Sequence, residues 1–196
     1  MADGAQTHNT ILIEAAKLFA AQGYSAISMR DVANKVGVTP ANLYYHFTDK
    51  DTLVRETLVH VLSERAGALD TIFSEARQPA ERIRTFVTWL TRLLYEDEVF
   101  ARLVFRELLD GDEGRIAYLA TTIFERPFQQ LIDATAGERR LDARLTAASI
   151  VALILGHVQI AVALPYLQGS EPAHADPATI GRHIASLVER VLQPPA

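Results

Sequence analysis

Apolar residues recur at three- and four-residue intervals along most of this chain and nowhere alternate strictly with polar ones, so the pattern predicts an all-α fold. Ile11, Ala15, Leu18 and Phe19 share one face of a first helix over about residues 9–22, and Gly23 closes it as a C-terminal cap. Ser28-Met29-Arg30-Asp31 reads as a capping box, in which serine and aspartate each take a free amide of the first turn, so a second helix starts there. It should stop near Val36, because Gly37 can adopt the left-handed conformation of a tight turn. Thr39-Pro40 then gives an N-cap followed by proline at the first helical position, opening a short third helix over 40–46. Thr48-Asp49-Lys50-Asp51 reads as a second capping box and opens a long fourth helix reaching about Arg77.

Beyond Pro79 the pattern predicts helices near 80–95, 98–109, 115–136, 142–167 and 177–192. Asp110-Gly111-Asp112-Glu113-Gly114 and the Gly-, Pro- and Ser-bearing run 168–177 are loops between them. The expected division is residues 1–58, an N-terminal three-helix domain in which helices two and three form a helix-turn-helix, and residues 59–196, a second, wholly helical domain.

Helix two, a short turn and helix three match the geometry that seats a recognition helix in the major groove. Val32, Val36, Val38 and Leu43 can fill the small core between them, Ala33 permits close approach, and Gly37 makes the turn. On these residues the sequence resembles the tetracycline-repressor (TetR) family of regulators. The segments that carry the likeness are Ser28-Met29-Arg30-Asp31-Val32-Ala33, then Gly37 through Phe47, then Lys50-Asp51-Thr52-Leu53. The resemblance covers about residues 9–58; the remainder is similar only in length and helical character.

It implies roles that the chemistry of each side chain supports. Ser28 and Thr39, at helix starts, would meet phosphate through hydroxyl and helix amides. Asn42 carries the amide that bonds adenine bidentately, and Tyr45 and Thr39 can touch a thymine methyl or a base edge. Tyr44 and His46 would bind phosphate, and Lys50 joins an ammonium to a helix N-terminus on the same phosphate. Arg30 can reach backbone or base. Pro40 and Ala41 stand where many members carry a basic or small residue and a glycine, so base contacts there would differ.

Charge qualifies this picture. The net charge of −5 excludes binding by bulk positive potential, so any DNA contact must be local. In residues 1–60, Lys17, Arg30, Lys35, Lys50 and Arg55 face a slightly larger acidic set: Asp3, Glu14, Asp31, Asp49, Asp51 and Glu56. That balance favours a second reading, a helical small-molecule binding protein that does not act on DNA. There is no cysteine, which removes disulfides, thiolate metal sites and cysteine nucleophiles. The N-terminal residues show no secretory signal, and the expected location is the cytoplasm. No His-Glu-x-x-His, Gly-x-Ser-x-Gly or glycine-rich phosphate loop is visible, so neither an enzyme nor a cofactor or metal site is expected.

Two features of the second half concern partners. The aromatic set Phe86, Trp89, Tyr95, Phe100, Phe105, Tyr118, Phe124 and Phe128 is either core or the lining of a cavity for a mainly apolar effector. The expected lining residues are Trp89, Phe105, Phe124, Phe128, His157 and Tyr166, with Arg106 and Gln159 as polar contacts. Residues 145–170 carry no charge, a run longer than the ~20 residues that span a bilayer. Ala148, Ala152 and Gly156, spaced four apart, instead fit a helix packed against its own domain and a partner, with no membrane. Helices 142–167 and 177–192 would then pair with their mates into a four-helix bundle, making a homodimer that presents two recognition helices to a palindromic operator.

Overall fold

The computed structural model describes residues 2–75, 78–110, 112–136 and 142–192. Ten α-helices are described: α1 Ala2–Gln22, α2 Met29–Val36, α3 Pro40–His46, α4 Lys50–Glu75, α5 Pro79–Glu96, α6 Glu98–Asp110, α7 Glu113–Leu119, α8 Glu125–Thr135, α9 Ala143–Ile160 and α10 Pro177–Leu192. A π-helical turn, Ala120–Phe124, joins α7 to α8, and 3₁₀ turns Leu164–Tyr166 and Pro172–Ala175 lie between α9 and α10. The described residues contain no strand, as the hydrophobic pattern predicts.

Three expected helices end or start elsewhere. α1 begins at Ala2 rather than near residue 9. The expected helix 115–136 is interrupted by the π turn, because Pro127 has no N–H to give the Ile123 carbonyl and the α-helical ladder cannot run through that point. The expected helix 142–167 stops at Ile160: Pro165 cannot serve as a donor to the Ala161 carbonyl, and a 3₁₀ turn replaces the last helical turn. The cap of α4 is also corrected. Asp49, not Thr48, takes the free amide, its carboxylate accepting from the Thr52 N–H at 2.7 Å. The expected end of α4 at Arg77, and Gly111 in the loop after α6, lie outside the described residues.

The chain divides into two compact units. The first holds Met1–Ala66 and Glu98–Ile123, the second Gly67–Asp97 and Phe124–Ala196. In the first, α1 packs on α2 and α6, and α2 on α3. Ile11, Ala15 and Phe19 of α1, Val32 and Ala33 of α2, Leu43 of α3, Leu53 and Leu58 of α4 and Leu103 of α6 are all fully buried. Val36 and Val38 are half-buried, so Val32 and Leu43 carry more of the joint between α2 and α3. In the second unit α5 packs against α8, α9 and α10. Gly181 of α10 permits the close approach to α5, since a Cβ there would lie 3.4 Å from the Thr88 Cα, and Arg84 pairs with Glu189 across the same seam at 2.7 Å.

Candidate nucleic-acid interface

The helix-turn-helix is built from caps that its own sequence supplies. The Asp31 N–H donates to the Ser28 hydroxyl at 3.2 Å and the Ser28 N–H donates back to the Asp31 carboxylate at 2.8 Å, so the capping box is closed. α2 ends at Gly37, whose φ of 80° is the left-handed conformation a side chain disfavours, and its N–H donates to the Ala33 carbonyl at 2.9 Å. The Thr39 hydroxyl then accepts from the Asn42 N–H at 3.2 Å, and Pro40 takes the first helical position of α3.

These joints fix which side of α3 faces outward. Leu43 is fully buried and anchors the helix, while Pro40, Ala41, Asn42 and Tyr44 are exposed and Tyr45 is 85% exposed. His46 is half-buried and held by rings: it lies 5.3 Å from Tyr45 and 5.8 Å from His8. His8 in turn stacks on fully buried Phe47 at 4.6 Å, with its Nε2 3.1 Å from Glu56 Oε2. The sequence reading missed His8. Its position one turn before Ile11, on the same face, was the available signal.

Several acidic residues of this region are engaged within the unit, while Asp51 stays exposed in the first turn of α4. Glu14 is engaged by Lys17 at 2.5 Å and Glu56 by His8, while Asp31 and Asp49 spend their charge on the amides that begin α2 and α4. Arg30 and Lys50 have no ion-pair partner among the described residues, and both flank α3 in the chain. Lys50 opens α4, where the helix amides add to its charge. Thus Ser28, Arg30, Thr39, Pro40, Ala41, Asn42, Tyr44, Tyr45, His46 and Lys50 all belong to α2, α3, their caps or the first turn of α4.

The Ser28 hydroxyl, and after it the Ser28 amide, hold the Asp31 carboxyl below its ordinary value of 3.8. A depressed carboxylate stabilises the folded state above its unfolded pKa and loses that contribution as pH falls through the folded value. Helix α2 is therefore expected to keep its cap above about pH 4 and to loosen only below it. A side-chain NMR titration checks this: the Asp31 midpoint should fall below 3.8 in the native chain, and a midpoint at or above 3.8 would contradict the closed box.

The residues expected to line a cavity are distributed between the units. Phe105 and Arg106 belong to the first, and Trp89, Phe124, Phe128, His157, Gln159 and Tyr166 to the second. The Arg106 guanidinium donates to the Ala20 and Ala21 carbonyls, each at 3.3 Å, at the end of α1. Tyr166 lies beyond the end of α9 and is 88% exposed, and Gln159 is exposed on α9. Trp89, Phe105, Phe128 and His157 are half-buried and Phe124 is exposed. Trp89 lies 6.3 Å from Phe86, the Arg144 guanidinium lies 5.9 Å over the Phe128 ring, and the His157 ring is 2.9 Å from the Leu153 carbonyl through Nδ1. The sequence reading did not single out Thr91 or Gln130, nor Tyr95 as a polar group. Each has a buried side-chain oxygen without a partner among the described residues, and burial pushes the Tyr95 hydroxyl above its ordinary pKa.

Residues 11–57 match the model for bacterial regulatory proteins of the tetR family. Over this segment the chain is similar to TetR-family N-terminal domains. The chain is similar to the transcriptional repressor KstR2 of Mycolicibacterium smegmatis, with 33% identity over 79 residues, 40% of this chain. That match spans only 38% of the length of KstR2. Over nearly its whole length the chain has the fold of solved TetR-family structures. The TetR-family regulator PfmR of Thermus thermophilus superposes with a TM-score of 0.68 at 23% identity, covering 94% of this chain and 99% of PfmR. The regulator FadR of Bacillus subtilis, solved in complex with stearoyl-CoA, gives 0.76 at 17% identity, covering 91% of this chain and 96% of FadR. The TetR fold therefore extends past the family segment, through α4 to α10.

Proposed function

We propose that this TetR-family chain is a ligand-responsive DNA-binding regulator: a homodimeric repressor of a palindromic operator, released by a mainly apolar small molecule in the cytoplasm. The observation that carries the reading is the outer face of α3, where Asn42, Tyr44 and Tyr45 stand exposed over a fully buried Leu43. Arg30 and Lys50, which make no salt bridge among the described residues, stand to either side of it in the chain. Uncovered hydrogen-bonding and aromatic groups beside these cations fit the major groove and its phosphates. No catalytic role and no metal or cofactor is assigned.

The homodimer rests on α9. Among the described residues, this is the one helix long and apolar enough to cross a membrane. Ala147, Ile150 and Ile154 turn inward, while Leu145, Ala148, Ala152, Gly156 and Ile160 form an exposed stripe without charge. A self-complementary apolar stripe fits a second copy across a two-fold axis. The effector class rests on the aromatic content of the second unit and on the acyl-CoA bound by the similar FadR. The oxygens of Tyr95, Thr91 and Gln130 are the hydrogen-bonding groups such a molecule could use. The alternative, a ligand-binding helical protein that does not act on DNA, leaves the exposure of Tyr44 and Tyr45 without a purpose.

Selection of bound DNA from a random pool tests the reading. Enrichment of a palindrome supports it; no enrichment, or an asymmetric site bound by a single copy, overturns it. On the selected site, Lys50→Ala should weaken binding about equally for all sequences and lower the salt slope by roughly one for each phosphate that is no longer neutralised. Asn42→Ala should instead relax base preference at one position in each half-site, by about 1–3 kcal/mol of discrimination. An exchange of these two phenotypes would show that the roles are misassigned.

A further inference from the structure

Helix α1 begins well before the family segment 11–57, and its early turns bring His8 over the end of α3. The His8 ring stacks on buried Phe47 at 4.6 Å and meets the edge of His46, the last residue of α3, at 5.8 Å. From α4 the Glu56 carboxylate reaches the same ring, with Oε2 3.1 Å from His8 Nε2. An ionised carboxylate only accepts, so Nε2 carries the hydrogen and donates, and Nδ1 is where a second proton adds. All four residues belong to the first compact unit. His8 and Glu56 keep 34% and 42% of their side-chain surface open to solvent, so that proton exchanges freely with water.

The cluster sets an anion beside the side chains to which phosphate contacts are assigned, His46 and Lys50, and a carboxylate there opposes the same phosphate. His8 stands between Glu56 and His46. Its neutral form leaves the Glu56 charge in place, whereas its cationic form cancels it, because one proton is added to a pair that otherwise carries one negative charge. The start of α4 also holds Asp49, Lys50, Asp51 and Arg55, and half-buried His60 follows Glu56 by one turn. On α1, Glu14 is engaged by Lys17. Imidazole is the side chain whose charge ordinarily changes in the neutral range, so His8, His46 and His60 are the groups that a pH experiment must separate. Of these, His8 is the one bonded to Glu56.

We propose that His8 is a positioning residue for DNA binding that acts through Glu56: as a cation it neutralises that carboxylate beside the phosphate contact of α3, and as a neutral ring it does not. DNA affinity then rises as the pH falls from about 8 to about 6. The step moves one proton from water to His8 Nδ1 and breaks no other bond in the protein. It rests on the DNA-binding function proposed above and adds to it a residue that lies outside the family segment. A unit charge about one Debye length from a phosphate changes affinity by roughly two- to threefold at low salt, so two subunits should give about four- to tenfold.

The test titrates the full chain against two duplexes at low salt, the selected palindrome and a random sequence of equal length, since phosphate contacts do not depend on sequence. The parent's affinity should fall by about four- to tenfold from about pH 6 to about pH 8, and by less in about 0.3 M salt. His8→Phe keeps a ring on Phe47 but takes no proton, so it should lose most of that fall and stay weak at the lower pH. Glu56→Gln alone should bind at the higher pH as tightly as the parent does at the lower. Added to His8→Phe, it should restore the parent's low-pH affinity. Phenylalanine makes no hydrogen bond to glutamine, so a merely structural role for His8 predicts no such rescue. His46 and His60 are retained throughout, and any dependence left in the double variant is theirs. Parent affinity that is flat with pH, a fall as steep in His8→Phe as in the parent, or no rescue by Glu56→Gln overturns the proposal. If the random duplex shows the pattern but no palindrome is selected, the operator fails and the role of His8 stands; a palindrome bound without pH dependence gives the reverse. Binding to neither duplex overturns both.

Discussion

Replacing Ala152 with arginine is expected to convert the protein from dimer to monomer and to lower operator affinity by about 10²–10⁴-fold. Ala152 is exposed at the middle of the uncharged α9 stripe, so a longer side chain there meets solvent in the isolated chain and leaves Ile150 and Ile154, which face inward, undisturbed. In the proposed bundle the same position faces its own mate, and the two-fold axis places two guanidinium groups against each other in an apolar seam. Burying an unpaired charge costs several kcal/mol per ion, and like charges add to that. The loss of affinity follows from linkage between half-sites: two joined recognition helices gain the effective concentration of the second site, and separated ones do not. Sedimentation velocity measures the first effect and operator titration the second. A variant that still sediments as a dimer would refute α9 as the seam. A monomer that binds the full operator as tightly as the parent would refute the need for two copies.

What the sequence made legible is the chemistry that acts over four residues or fewer. Ser28 and Asp31, Gly37, and Thr39 with Pro40 each determine a helix end through contacts with their immediate neighbours, and those ends stand where the pattern places them. The face of α3 follows from the same local terms, because once Leu43 is buried the helix period turns Asn42, Tyr44 and Tyr45 outward. Thr48 against Asp49 shows the limit of such reading. Two adjacent residues can both cap, and the choice depends on how the chain enters α4 from buried Phe47. Illegible altogether were the contacts that join distant segments. The pairing of Arg106 with the α1 carbonyls spans 86 and 85 residues, and nothing in the composition of α6 indicates that its arginine reaches a helix end. The break in the helix 115–136 differs in kind: its apolar spacing continues through Pro127, but the missing donor that breaks the ladder stands in the sequence itself.

Phe47→Ala and Tyr45→Ala are expected to separate stability from recognition within three residues of chain. Phe47 is fully buried at the turn from α3 into α4 and stacked on His8, so truncation removes a large apolar side chain and leaves a cavity that the helices around it cannot collapse to fill. The expected cost is about 3–5 kcal/mol, against a total stability of roughly 5–15 kcal/mol for a folded domain. The helix-turn-helix should then unfold at a markedly lower temperature or denaturant concentration than the parent. Tyr45 is 85% exposed and, beyond the edge of His46, gives the fold little, so its truncation should shift thermal unfolding by no more than about 0.5 kcal/mol. It should nonetheless weaken operator binding by about tenfold or more, because truncating a large side chain covered in an interface costs upward of about 1 kcal/mol. Calorimetry and a DNA titration on the same two variants decide the matter. If Tyr45→Ala lost stability and kept DNA affinity, the exposed face of α3 would be a packing surface for another protein rather than the reader of a groove. If Phe47→Ala kept its stability, the corner that aims α3 would be held by something other than the buried ring.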